Sequence, residues 1–455
     1  MIAAYQAWKT EQSRRDDLLL RLSKIWGVYV PAFYQPGYNT DGTIDHIERT
    51  REDVPVNVTK RIVSQLPPPP TKQIVPSIDI VHNRLSIEIM RGCSRGCRFC
   101  HAGMVNRPVR QRSVEQIIAA LDSAYHATGI EEIGLLSLSS SDHTQIKSLV
   151  EAINQKYQDD NVNISLPSLR IETFSLDLMD MLQGKRHGGF TLAPEAGTER
   201  MRNAINKPIS PTQLLDTVSA IFNRGWQTIK LYFMIGQPGE TEEDIEGIIA
   251  LCLDALKLGR TIIGHKAKLH VSIGTLVPKP HTPFQWVATD SIEHISEKQD
   301  RIKRALKKSG IKLMLTDPQA TMLEAWLSRG DRRIGAVIFA AWKRGAKFDA
   351  WQDQYNYQTW LQAFDDRSID PNHYAHRIRD IDEVLPWDHI DSGVKKKFLV
   401  KEYQNSLDGI TRQDCSHQCS ACGIQSTYLE LIDGGEKISW KCPPMVKNRS
   451  PHMVG

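Results

Sequence analysis

Three of the chain's eight cysteines, Cys93, Cys97 and Cys100, fall together in "RGCSRGCRFCHAG" at residues 91–103. The spacing CxxxCxxC would put all three on one face of a helix, as a stripe of buried thiols. Gly92 and Gly96, with the polar Ser94, Arg95 and Arg98, argue instead for a loop wrapped around something. A structural zinc wants four ligands, and no fourth cysteine lies nearby, although His101 would serve. An iron–sulfur cubane is also held by thiolates, and three of them leave one iron open to a substrate.

Cys415, Cys419 and Cys422 repeat the spacing, and Cys442 follows. Four thiolates suit a structural zinc or an auxiliary iron–sulfur cluster. The stretches "TYLELI" and "KISWKC" read as strands of a zinc-ribbon-like hairpin, whereas the shared spacing favours iron–sulfur. Cys252, inside the apolar "IIALCLDALKLG", reads as a core residue.

The 455 residues carry a formal charge of +4, which permits an anionic partner without arguing for one. The N-terminus lacks an export-signal pattern, and "IGAVIFAAW" (334–342) is too short to span a membrane. A cytoplasmic location is expected, where clustered thiols mean metal or catalysis more often than disulfides.

The elements that must position these residues alternate. Strands are expected at 85–90, 130–140, 164–171, 189–195, 228–236 and 268–277. Between them, Ser113 with Gln116 and Ser210-Pro211 with Gln213 read as capping boxes, and Thr241 opens a helix with acidic residues. Six β–α units predict an α/β fold: a partial, TIM-like barrel of parallel strands with helices outside. The cysteine triad, "SLSSSD", "PEAG" and "GQPGE" all follow strands, which puts one site on the C-terminal face of the barrel. The expected organisation is an N-terminal extension with a proline-rich linker (1–84), the barrel (85–308), a mainly helical region (309–405) and a small cysteine-rich metal segment (406–455).

"CSRGCRFC" after a first strand, with Phe99 before its last cysteine, resembles the signature of radical S-adenosylmethionine (radical SAM) enzymes. The resemblance implies that Cys93, Cys97 and Cys100 hold a 4Fe-4S cluster whose fourth iron chelates the amino and carboxylate groups of SAM. Reduction then breaks the sulfonium bond and releases a 5′-deoxyadenosyl radical. It also implies a reductant such as flavodoxin or ferredoxin and a substrate of unknown identity, with RNA modification and methyl transfer as candidate reactions. Ser139, Ser140 and Asp142 stand where the superfamily has a Gly-Gly-Glu turn for the methionine amino group. Glu195 suits the ribose hydroxyls, Arg202 the SAM carboxylate, and Met234 with Gly236 the approach to adenine. "GVYVPAFY", "LAPEAGTERMRNAINK", "VPKPHTPFQW", "SRGDRRIG", "PWDHI" and "DCSHQCSACG" resemble, more narrowly, the cobalamin-binding-domain-containing radical SAM proteins of unassigned substrate. The chain begins where their cobalamin domain would end, and Ile44 stands where the aspartate of a DxHxxG ligand motif would precede His46. A fragment or a short form is therefore expected, with cobalamin, if used, brought by a separate partner chain.

Trp342, Trp351 and Trp360 recur near helical phase among arginines, which fits a buried stripe or a nucleic-acid surface. A further alternative for this region is that Arg329, Asp331, Arg332 and Arg333 close over the barrel mouth and contact substrate. Two other classes compete with the enzyme: an iron–sulfur sensor or electron-transfer protein without SAM cleavage, and a zinc-based RNA-binding module. "GRTIIGHK" (259–266) misses the phosphate loop because His265 replaces its lysine.

Overall fold

In a computed structural model, residues 1–78, 80–81, 83–160, 162–166, 170–171, 176–181, 189–433, 438, 440 and 442–443 are described. The barrel strands are β1 (Leu85–Glu88), β2 (Glu132–Leu136), β3 (Asn163–Ser165), β4 (Phe190–Glu195), β5 (Thr228–Ile235), β6 (Lys268–Thr275) and β7 (Lys312–Leu315). They form two parallel sheets in chain order, β1-β2-β3 and β4-β5-β6-β7. Among the described residues β3 and β4 are not paired. The expected strand at 164–171 is shorter, and its residues 167–169 lie outside the described set.

Each connection carries helices, the principal ones being α1 (Val114–Thr128), α2 (Ile146–Lys156), α3 (Pro211–Asn223), α4 (Glu242–Ile263) and α5 (Ile292–Leu306). The expected caps form. Ser113 and Ser210 accept from the backbone N–H of Gln116 and Gln213, at 3.3 and 3.1 Å, each worth about 1 kcal/mol. At α4 the reciprocal partner of Thr241 is Asp244, which accepts from the Thr241 N–H at 2.8 Å.

Burial alternates along β5. Ile229, Leu231, Phe233 and Ile235 are buried in the cluster that also takes Leu214, Val218 and Ile221 of α3 and Ile245, Ile248 and Cys252 of α4. Lys230, Tyr232 and Met234 occupy the opposite face and are less buried. Successive side chains of a strand point to opposite faces, so the helices cover the apolar side and leave the polar side to the interior. Cys252 is the core residue its sequence context predicts.

One boundary and one element differ from expectation. Strand β7 lies beyond residue 308 and pairs with β6, so the barrel sheet continues into the region expected to be separate and helical. Met322 and Trp326 of α6 (Pro318–Arg329), Val337 of α7 (Ile334–Lys343), Trp360 and Tyr374 join the barrel's own hydrophobic cluster. Hydrophobic contact across the sheet, not a linker, joins residues 309–375 to the barrel. In the C-terminal segment "TYLELI" is not a strand but part of two short helices, Ile424–Thr427 and Leu429–Asp433. Positions 437, 439 and 441 of "KISWKC" lie outside the described residues.

The N-terminal extension folds as two helices, Ile2–Glu11 and Arg15–Ser23, and an antiparallel hairpin, Tyr34–Tyr38 with Ile44–Arg49. It is stitched to the remainder of the chain: Arg332 Nη2 donates to Tyr29 Oη at 2.8 Å and Arg333 Nη2 to the Gly42 carbonyl at 2.8 Å. Arg329 is wholly buried and donates to the carbonyls of Tyr374, Val287 and Arg377. Arg329 is thus engaged by carbonyls inside the fold, whereas Arg332 and Arg333 hold the N-terminal extension. The tryptophan stripe also divides, since Trp360 is 5% exposed while Trp342 and Trp351 are 54% and 67% exposed.

No described helix is long and apolar enough to cross a membrane.

Candidate functional site

The cysteine loop leaves a short antiparallel ribbon, Met90–Arg91 paired with Arg110–Gln111, directly after β1. Gly92 has φ +90°, and a Cβ there would lie 2.7 Å from the carbonyl oxygens of Asn106 and Pro108, so the loop needs glycine at this point. Cys93 and Cys97 are buried and Cys100 is half-buried. Cys100 caps the helix His101–Val105, its Sγ accepting from the Gly103 N–H at 3.3 Å. Arg170 Nη1 donates to Cys97 Sγ at 3.6 Å.

Burial and the neighbouring Cys97 push the Cys93 thiol up to about 12, against the backbone N–H of Arg95. Burial likewise raises Cys100, with Cys97 and Glu195 adding to it. Three sulfurs crowded this way repel one another as thiolates and become compatible with charge only around a cation, which deprotonates a coordinating thiol outright. N–H donors to Cys93, Cys97 and Cys100 are the outer-shell hydrogen bonds that iron-bound sulfur takes. The residues present fit a cluster held by these three sulfurs.

The strand ends converge where the sequence placed them. Phe99 and Met234 pack against one apolar cluster containing Ala196 after β4, Leu276 after β6, Phe284 and Ile205. Glu195, the last residue of β4, has φ +68°, and its carboxylate accepts from Lys207 Nζ at 3.2 Å. The following Gly197 admits no side chain, because a Cβ there would meet the Asp244 carbonyl oxygen at 2.2 Å. The start of α4 therefore presses directly on the turn that carries Glu195. Gln237 Nε2 ties the carbonyls of Glu195 and Met234 together, at 2.9 and 2.7 Å.

Five residues expected to meet SAM have partners within the protein. Ser139 and Ser140 are fully buried. Ser139 Oγ donates to Asp142 at 2.6 Å and Ser140 Oγ to the Leu135 carbonyl at 3.2 Å. Asp142 forms an ion pair with Arg95 of the cysteine loop, whose Nε donates to it at 2.9 Å. Burial would raise the Asp142 carboxyl, yet hydrogen bonds from Arg95 and Ser139 and the Arg95 charge hold it below the usual carboxylate range. Arg95 thus ties this turn to the cysteine loop. Arg202 is wholly buried, and its Nη1 donates to the carbonyls of Ala196 and Gly197 at 3.0 and 3.1 Å. It braces the Glu195 turn from within, and a guanidinium so enclosed is not presented to a ligand carboxylate. The Gly236 N–H donates to Glu240 at 2.8 Å, which leaves its positive φ, not that N–H, as its contribution to close approach.

The C-terminal cysteines are not detached from this site. The Cys415 N–H donates to the Ser94 carbonyl at 3.1 Å, and Ser94 Oγ donates to Asp414 at 2.8 Å. Asp414 also pairs with Arg95 at 2.9 Å. Asn206 donates to the Arg95 and Gly96 carbonyls at 3.0 and 3.3 Å and accepts from the Arg412 N–H at 2.7 Å. Arg98, fully buried, joins Glu402 at 3.3 Å and the carbonyls of Ala204 and Ile410 at 2.8 and 2.6 Å. Burial raises Cys415 and Cys442 to about 11, and the other C-terminal thiols contribute in both cases. Among the described residues no three cysteine, histidine or acidic side chains converge on a single-ion point. Sequence reasoning missed Arg95, Arg98, Asn206 and Asp414; the arginines interleaved with the cysteines were the only local signal.

Residues 87–252 match the Radical SAM superfamily. An uncharacterised protein of Methanocaldococcus jannaschii is 32% identical over 285 residues, covering 62% of this chain and 60% of that protein. A tRNA-2-methylthio-N(6)-dimethylallyladenosine synthase of Pelotomaculum thermopropionicum is 24% identical over 275 residues, 58% of each chain. The chain thus spans about 60% of the length of these curated relatives. Among solved structures, the radical SAM methyltransferase TsrM of Kitasatospora setae, with cobalamin and a [4Fe-4S] cluster bound, aligns at TM-score 0.36 and 18% identity. That alignment covers 47% of this chain and 40% of TsrM.

Proposed function

We propose, for a chain whose residues 87–252 match the Radical SAM superfamily, an enzyme that cleaves SAM reductively to a 5′-deoxyadenosyl radical. The observation that carries this is the convergence of the thiolate loop with the ends of β4, β5 and β6 around Phe99, Met234, Ala196 and Leu276. A sensor needs the thiolates alone and has no use for those strand ends.

Cys93, Cys97 and Cys100 would hold a 4Fe-4S cluster, which when bound supplies the single electron for sulfonium cleavage. Glu195, hydrogen-bonded by Lys207, is placed to accept from ribose hydroxyls. Phe99 and Met234 wall the site with apolar surface and exclude water from it. For the C-terminal cysteines we infer a second iron–sulfur cluster, since Cys415, Cys419 and Cys422 repeat the spacing of the triad.

RNA is the substrate class we infer. The tRNA-modifying activity in a relative's name supports it, as do the exposed Phe339, Trp342, Phe348 and Trp351 beside Lys343 and Lys347. A flavodoxin or ferredoxin would reduce the enzyme, and the unpaired cysteines suit a cytoplasmic location. Anaerobically reconstituted protein with SAM and dithionite should form 5′-deoxyadenosine. A Cys93, Cys97 and Cys100 to alanine variant should form none, and continued formation would sink the assignment.

A further inference from the structure

The two cysteine groups share one cavity of about 580 Å³, with Cys93 in one wall and Cys415, Cys422 and Cys442 in the other. Arg107 lies in that wall and is buried. Its Nε donates to the Gly103 carbonyl at 3.3 Å, and its guanidinium carbon stands 5.3 Å from the Phe398 ring. Its Nη2 would meet a Cβ on Gly96 at 3.2 Å, so the cysteine loop closes tightly over it.

A buried guanidinium costs several kcal/mol to desolvate and demands anions. Among the described residues no carboxylate pairs with Arg107, and its Nη1 is buried without a hydrogen-bond partner. The sulfurs that line its cavity come from both groups: Cys93 of the triad, and Cys415, Cys422 and Cys442 of the quartet.

We propose that Arg107 is a positioning residue shared by the two centres. It holds thiolate ligands of both groups, so that the potential of the triad centre and the metal retention of the C-terminal quartet depend on one cation. This rests on the reading that both groups bind metal. A fixed positive charge beside thiolate-bound iron favours the reduced form, and hydrogen bonds to cluster sulfur tune the potential.

The test uses the full chain, reconstituted anaerobically, as wild type, Arg107→Met and Arg107→Lys. The readouts are an EPR-monitored redox titration, iron and zinc per chain, and far-UV circular dichroism. Arg107→Met should lower the midpoint of the triad centre and lose metal from the quartet, and Arg107→Lys should recover both. Unchanged values in Arg107→Met, or a change at one centre alone, would overturn the proposal.

If Arg107→Met does not fold, the double variant Cys415→Ala, Cys419→Ala serves. With fewer thiolates to share the guanidinium, the triad midpoint should rise, and an unchanged midpoint refutes the coupling. Wild-type protein that cleaves SAM but binds a single centre would overturn the coupling and leave the enzyme reading intact. Protein that binds both centres and fails to cleave SAM would do the reverse.

Discussion

The two CxxxCxxC groups have the same spacing and opposite origins. The triad at 93–100 stands directly after a barrel strand, in a glycine-punctuated loop with its own backbone donor to Cys100. The quartet at 415–442 stands among short helices and is held by what it docks against: Ser94, Arg95 and the apolar surface around Phe398, Trp387 and Tyr428. Spacing alone therefore does not tell an autonomous ligand loop from a dependent one. The scaffold beneath the cysteines decides, and here one scaffold supports both.

If the quartet depends on the triad loop, Arg98 is the place to break them together. It is buried between that loop, the helix Glu199–Ala204 and the C-terminal segment, against Glu402. Removing one partner of a buried pair costs about 3–5 kcal/mol. Arg98→Ala should lower urea stability by an amount of that order, with both cysteine regions lost in one transition. A separate early transition for residues 406–433 would show that the segment is an independent unit.

Glu195 sharpens the comparison from the other side, because it belongs to the triad's strand ends and has no contact with the quartet among its hydrogen-bond partners. Losing a hydrogen bond to a charged acceptor costs about 1.5–3 kcal/mol, or roughly tenfold or more in affinity. Glu195→Ala should weaken SAM binding by that factor in equilibrium titration while iron content stays unchanged. Unaltered affinity would reassign Glu195 to bracing the turn.

The smallest effect is expected at Asp142, which ties the triad loop to the turn after β2. Its folded pKa lies below the ordinary value of about 3.9, so its stabilisation is fully present above that value and lost as pH falls through the folded pKa. Asp142→Asn should remove this acid-side slope and leave stability near neutral pH lower by about 1 kcal/mol. A denaturation series from pH 6 to 2 reads the difference, and identical slopes in the two proteins would exclude the carboxylate as its source.

Several features were legible without coordinates because they are local. Capping boxes are completed three residues on, as at Ser113 and Ser210. The triad's glycines mark a loop, and period-two burial marks strands such as β5. Strand β7 was missed because "KLML" is short and only its pairing with β6 makes it a strand. Ser139 and Asp142 follow β2 and Arg202 lies on the helix Glu199–Ala204, but what they touch was not readable in the sequence. A carboxylate or guanidinium at a turn has the same sequence whether it faces a ligand or a neighbouring loop.

The sequence by itself determined the chemistry on offer: three thiolates in a loop at a barrel strand end, an acid at the end of β4, and the β–α alternation that gathers them on one face. The tertiary structure alone decided that the second cysteine group packs on the first, and that buried arginines hold the two together. Ser94 meets Asp414 across 320 residues, and Arg98 meets Glu402 across 304. Local spacing carries no information about such pairs, because their partners are chosen by burial: a guanidinium taken out of water is stable only where the fold delivers an anion or carbonyls to it.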